Sequence, residues 1–183
     1  MEAFLSLGRP EHKNDRNHSC PFDIFSQFAQ LNYVSFYSLQ KGKAAEEFKY
    51  STAGMKLIDY TEELKDFADT SALIENLDLV ISVDTSVAHL AGALCKLVWR
   101  LLPFVPDWRW MLDREDSPWY PSMRLFRQSS LDNWQSVITR IIKELKVFYI
   151  KHSFSIAPKR IRCHPFYPIF LKEICFFTGN YLE

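Results

Sequence analysis

The sequence predicts an α/β fold, a Rossmann-like, doubly wound domain with a mainly parallel sheet. Three observations predict it. Short runs of β-branched and aromatic residues alternate with helical patterns from Ala3 to Leu145. Polar turn residues follow the carboxyl end of each principal run. An amphipathic helix closes the pattern, with Trp134, Val137, Ile138, Ile141, Ile142 and Leu145 at helical spacing.

The first strand is short: Ala3, Phe4, Leu5 and Leu7, ending at Gly8. Residues 8–19 then form a polar loop rich in Arg9, His12, Lys13, Arg16 and His18. Ser19-Cys20-Pro21 reads as a helix start, because proline is tolerated in a first turn. Phe22, Ile24, Phe25, Phe28, Ala29 and Leu31 give that helix its apolar side. Residues 33–39 alternate and form the second strand, closed by Gln40-Lys41-Gly42. Residues 43–49 are a short helix candidate, and 55–58 a third strand. Residues 66–76 are a helix with Asp66 as its cap and Asp69 near the free N–H groups.

Leu79, Val80, Ile81 and Val83 form a buried fourth strand, followed at once by Asp84, Thr85 and Ser86. Val87, Ala88, Leu90, Ala91, Ala93 and Leu94 then favour a helix, with Thr85 or Ser86 as N-cap. The open N–H groups of such a helix start make an anion site. His89 lies one turn in, on the side of Thr85. Read as residues alone, this is either a ligand site or an ordinary capped helix with a surface histidine.

Residues 97–102 form a fifth strand ended by Pro103. Arg100 falls inside it, where a buried guanidinium needs a partner. Residues 104–122 are a long loop carrying Trp108, Trp110, Trp119 and Tyr120. It is either a cleft wall, with Asp107, Trp108 and Arg109 facing the ligand, or an aromatic plug on the sheet edge. Residues 123–126 form a sixth strand, and Asp132 caps the closing helix. These observations place a domain at 1–146 and leave 147–183 as an irregular aromatic and basic tail.

Composition narrows the function. The 183 residues hold 22 Lys and Arg against 22 Asp and Glu. A net charge near zero gives no general field for polyanions, so nucleic acid is not an expected partner. Cys20, Cys95, Cys163 and Cys175 form no CxxC pair and no metal-ligand spacing, which points to reduced thiols and a cytoplasmic location. No apolar run is long enough to span a bilayer, and no signal peptide is evident. No G-x-G-x-x-G follows the first strand, against a nicotinamide dinucleotide enzyme.

The run Asp84-Thr85-Ser86-Val87-Ala88-His89-Leu90-Ala91-Gly92-Ala93-Leu94 resembles the D-T-x-x-x-H-L-A-G-A-L signature of heptosyltransferase-like glycosyltransferases, the family 9 type. Three further segments resemble the same family in the same order: Gly8 through Arg16, Phe36 through Gly42, and Pro106 through Pro121. The look is closest to a bacterial branch whose catalytic domain follows tetratricopeptide repeats. The resemblance implies the second half of a GT-B enzyme, the half that holds the nucleotide-diphosphate sugar. It implies that Asp84 holds sugar hydroxyls. It places Thr85, Ser86, His89, Lys13 and Lys41 around the phosphates and ribose, with no metal. Lys13 and Lys41 read otherwise as loop and turn lysines. The catalytic base of such enzymes belongs to the first domain, so none is assigned here. The chain would transfer sugar only with a separate N-terminal acceptor or repeat domain; the alternative is a non-catalytic or vestigial nucleotide-sugar binder. Two departures stand out. Ser86 replaces the usual small Gly or Ala, and Cys95-Lys96-Leu97 replaces Gly-Lys-Pro. A cysteine just past a helix end costs about 1 kcal/mol or more if the backbone there is left-handed.

Overall fold

The computed structural model describes residues 1–6, 20–38, 54–55 and 57–153. Six parallel strands form one sheet in the order β3-β2-β1-β4-β5-β6. They are β1 (Glu2–Ser6), β2 (Ser35–Ser38), β3 (Leu57–Asp59), β4 (Leu79–Ser82), β5 (Val98–Leu102) and β6 (Met123–Arg127). Among the described residues three α-helices accompany them: α1 (Phe67–Glu75), α2 (Ser86–Ala93) and α3 (Trp134–Ser153). This is the doubly wound order, with its reversal between β1 and β4. Ligands of open parallel sheets bind beyond the carboxyl ends of the strands at such a reversal.

Both faces of the sheet are covered, which is why the central strands read as continuous apolar runs. On one face Leu5, Phe36, Ile81, Trp99, Leu101 and Phe126 pack with Phe25 and Phe28 and with Val137, Ile138, Ile141 and Leu145 of α3. On the other, Val80, Val98, Leu102 and Leu125 pack with Ile74 of α1, Ala88, Leu90 and Ala91 of α2, and with Trp110 and Tyr120. Side chains alternate along a strand. Trp99 and Leu101 therefore serve the first face, and Arg100 points to the second, the side of α2.

Several expectations shift in detail. The segment after Pro21 winds as a 3-10 helix, Phe22–Gln30, not an α-helix. Its buried residues Phe25, Phe28 and Leu31 recur every third position, which matches a three-residue turn. Asp66 caps α1 as expected, accepting from the N–H groups of Ala68 and Asp69 at 2.8 and 3.0 Å. The cap of α3 is Asn133, whose Oδ1 accepts from Ser136 N–H at 3.0 Å, and not Asp132, which takes a φ of 57°. The helix also runs on to Ser153, past Leu145. Phe148 holds it there against Trp99, ring centroids 5.9 Å apart, and Tyr149 against Tyr33 at 4.3 Å.

Cys95 stands at φ 58°, the left-handed position that favours glycine. Cys95 N–H bonds to the Gly92 carbonyl and Lys96 N–H to the Ala91 carbonyl, each at 3.0 Å. That pair of bonds is a Schellman stop, and it forms here at the strain cost of a Cβ. Cys20 is a free, buried thiol, whereas Cys95 is disulfide-bonded, so the expectation of reduced thiols holds for the former only. Among the described residues no helix is long and apolar enough to cross a membrane, and no group of three His, Cys, Asp or Glu could hold a metal ion. The expected loop at 8–19 with Lys13, the turn at 40–42 with Lys41, the helix at 43–49 and the tail from 154 lie outside the described residues.

Candidate functional site

The loop after β4 brings Asp84 to the carboxyl end of the sheet and starts α2 with Thr85 in the N-cap position. Thr85 is extended there, at φ −130° and ψ 163°, yet its side chain makes no capping bond. Its hydroxyl instead shares a 2.9 Å hydrogen bond with Ser82 Oγ at the end of β4. The expected side-chain cap is therefore absent, because the strand end competes for the same oxygen. Ala88 N–H reaches the Thr85 carbonyl at 3.1 Å. The N–H groups of Ser86 and Val87 have no partner among the described residues. They stay open at the positive end of the helix dipole.

Five side chains surround the Asp84 carboxylate. Arg100 forms an ion pair with Oδ1. Trp110 Nε1 donates to Oδ2 at 2.9 Å. Arg109 Nη2 lies 3.6 Å from Oδ2, and His89 Nε2 lies 3.6 Å from Oδ1. Tyr120 completes the ring from behind, its hydroxyl 3.0 Å from His89 Nδ1. Arg100 is wholly buried, with its guanidinium flat over Trp110 at 3.7 Å from the ring centroid. None of its three guanidinium nitrogens makes a hydrogen bond among the described residues, so the contact with Asp84 is an ion pair only. The cation is thus held by one carboxylate and one aromatic face. Breaking such a pair by removing one partner costs about 3–5 kcal/mol, because the other charge is stranded.

The electrostatics follow from this crowding. Burial pushes the His89 pKa down to about 4, the Arg109 charge pushes the same way, and Asp107 opposes them. Asp84 stands close to His89, but Arg100 already neutralises it. The imidazole is consequently neutral at ordinary pH and serves as a hydrogen-bonding group. Burial, then Arg109, lowers the Arg100 pKa well below its usual value.

Part of the long loop packs as the expected aromatic plug. Trp110 and Tyr120 are buried and plug the sheet end. Asp107 and Arg109 stand at the mouth of the cluster, where Asp107 Oδ1 accepts from Arg109 N–H at 3.0 Å and from its Nε at 2.7 Å. Trp108 is 78% exposed and turns away from the core. Of the residues expected to form the site, Asp84, Thr85, Ser86, His89, Asp107 and Arg109 gather at one strand end. Lys13 and Lys41 fall outside the described residues.

Sequence reasoning missed Arg100, Trp110 and Tyr120 as members of the cluster. A single charge inside an apolar strand was the available signal for Arg100. Nothing local marks Trp110 or Tyr120 above Trp108 or Trp119, since their burial depends on how the loop folds back.

No family model matches the chain. Among curated proteins, Protein FlbA of Caulobacter vibrioides is 30% identical over 132 residues, which are 70% of this chain and 22% of that protein. Among solved structures, the heptosyltransferase WaaC of E. coli with ADP aligns over 80% of this chain and 44% of its own, at 14% identity and a TM-score of 0.57. The glycosyl transferase family 9 protein of Veillonella parvula aligns over 82% and 47%, at 11% identity and a TM-score of 0.61. The E. coli ADP-heptose lps heptosyltransferase II aligns over 83% and 47%, at 16% identity and a TM-score of 0.59. These likenesses show the fold alone, a Rossmann-like α/β arrangement shared with part of each of those structures. The chain spans under half of each solved structure and about a fifth of the curated relative.

Proposed function

We propose that this chain is the nucleotide-diphosphate-sugar-binding half of a GT-B glycosyltransferase of the heptosyltransferase-like type. In this reading it transfers sugar only together with an N-terminal acceptor domain, acts in the cytoplasm, and belongs near the repeat-containing bacterial branch. One observation carries the reading. The open N–H groups of Ser86 and Val87 begin α2 at the reversal of the sheet, beside Arg109 and His89. Helix starts at that place hold phosphates. A WaaC structure with ADP and another with ADP-2-deoxy-2-fluoro heptose have the same fold, which supports a nucleotide sugar as the ligand class.

The residue roles follow. The diphosphate lies at Ser86 and Val87, with Lys13 as a charged contact and Lys41 at the ribose or phosphate. Asp107, Trp108 and Arg109 line the mouth. The leaving diphosphate is stabilised by N–H groups and lysine, with no metal required. No base is assigned within the chain, since catalysis needs groups placed from both sides of the cleft.

A second reading, a binder without turnover, is favoured by one observation: both oxygens of Asp84 are already engaged inside the protein.

The test is isothermal titration with ADP and other nucleoside diphosphates. Ser86→Pro is the cleanest variant. Proline suits the first helical position, and the extended Thr85 tolerates a following proline, so only one N–H is lost. Ser86→Pro and Lys13→Ala should each weaken diphosphate binding about tenfold or more, as loss of a bond to a charged group does. Unchanged affinity in both folded variants would refute the placement.

A further inference from the structure

We infer that Arg127 is a positioning residue for this site: from the end of β6 it braces a strained turn at Met111 and so holds Arg109 beside the start of α2. This rests on the functional reading above and deepens it.

Met111 ends the short 3-10 turn Trp108–Trp110 at φ 48° and ψ −179°. That combination strains any residue with a Cβ, and only glycine adopts it cheaply. Such a conformation persists only where its surroundings impose it. The Met111 side chain is 47% exposed, so its own packing does little to hold the backbone there. Two side chains from outside the turn do hold it. Arg127 Nη2 donates to the Trp110 carbonyl at 3.2 Å and to the Met111 carbonyl at 2.5 Å. Trp119 Nε1 donates to the Arg109 carbonyl at 3.0 Å. The carbonyls of Arg109, Trp110 and Met111 are thus fixed in succession, two of them by a charged donor.

Arg127 is built to brace rather than to move. It is the last residue of β6, paired with Leu102 in the parallel register, so its backbone belongs to the sheet. Phe126 serves the α3 face, and alternation sends Arg127 to the face of Trp110. The next residue, Gln128, is buried, and its Oε1 accepts from Phe104 N–H at 3.0 Å, which pins the start of the same loop.

The turn carries the outer wall of the site. Trp110 Nε1 donates to Asp84 Oδ2 at 2.9 Å, and Arg109 Nη2 lies 3.6 Å from the same oxygen. Asp107 Oδ1 holds Arg109 Nε at 2.7 Å. Without Arg127, Met111 relaxes toward negative φ and the carbonyls turn away. The backbone of Arg109 then loses its fixed place, and its charge leaves the side of the open Ser86 and Val87 N–H groups.

The test is isothermal titration of the full chain with ADP and UDP, arranged as double-mutant cycles. Arg127→Met removes both hydrogen bonds and keeps much of the side-chain length. It should weaken binding of either nucleotide about tenfold, as withdrawal of one charge-assisted contact does. Arg109→Gln should cost a similar factor. The two together should cost no more than about twofold beyond either alone, because both act through one contact. A long-range effect of the Arg127 charge would add instead. In a Met111→Gly background the turn carries no strain, and Arg127→Met should then cost about threefold or less. If Arg127→Met folds only with Met111→Gly, that rescue is the same coupling seen in stability. Wild-type affinity in folded Arg127→Met would overturn the inference. So would losses that add with Arg109→Gln, or that persist in full with Met111→Gly. Failure of Arg127→Met to fold in both backgrounds would overturn it too, since Arg127 would then belong to the core and not to the turn. Absence of nucleotide binding by wild type would instead overturn the functional reading, and this inference with it.

Discussion

The ring of Tyr120 rests on Gly92: a Cβ built on that glycine would lie 2.7 Å from both Cγ and Cδ1 of the ring. The glycine of the His89-Leu90-Ala91-Gly92 run is thus a packing residue. It lets Tyr120 come close enough to α2 for its hydroxyl to meet His89 Nδ1. A glycine inside a helix costs about 1 kcal/mol relative to alanine, and this contact is what it provides in return.

Gly92→Ala should therefore destabilise the chain despite its better helix propensity. Overpacking costs about 1–3 kcal/mol, which outweighs the propensity gain. In a Tyr120→Ala background the obstacle is gone, and the same substitution should stabilise by up to about 1 kcal/mol. Urea denaturation of the four proteins gives the comparison. The same sign in both backgrounds would show that the ring contact does not govern this position.

Stability should fall as the pH drops from about 6.5 to about 4, and His89 should be responsible for part of the fall. Its folded pKa is about 4 against 6.5 unfolded, so the unfolded chain binds more protons across that window. The contribution is complete above 6.5 and gone below 4, and is on the order of 3 kcal/mol. Asp84, Arg100, Arg109, Asp107 and Tyr120 are the charged and titratable groups around the ring. His89→Gln should flatten the dependence between those limits. Identical pH profiles of unfolding free energy for wild type and His89→Gln would contradict the neutral, buried imidazole.

Phe148→Ala should cost about 1–2 kcal/mol, below the value for a fully buried phenylalanine because Phe148 is half-buried. Its ring packs on Trp99, which packs in turn on Phe126 at 5.2 Å. Thermal melting should show the loss, and Val147→Ala, on the exposed side of the helix, should show almost none. Equal melting temperatures for wild type and Phe148→Ala would place the last turns of α3 outside the cooperative core.

Much of the fold was legible in the chain, and the legible parts share a cause. The Leu79–Ser82 strand, the Asp66 cap and the amphipathic α3 are written in residues near one another in sequence. Propensity, periodicity and capping act over a few positions, so they can be read locally. The left-handed Cys95 belongs to this class, since helix α2 must stop before β5 begins. Failures of local reading also have local rivals. Thr85 lost its capping role to Ser82, and Asn133 took the cap from Asp132.

The sequence by itself determined the doubly wound class, the strand-end location of Asp84, Thr85, Ser86 and His89, and the need of Arg100 for a partner. Only the tertiary structure decided who that partner is. Parallel register sets Ser82 beside Arg100, which brings the guanidinium of β5 to the carboxylate that follows β4. The loop after β5 then folds back to lay Trp110 over the pair and Tyr120 against Gly92. These contacts join residues from ten to about thirty positions apart. Their free energy depends on sheet register and loop closure, neither of which any short stretch of sequence encodes.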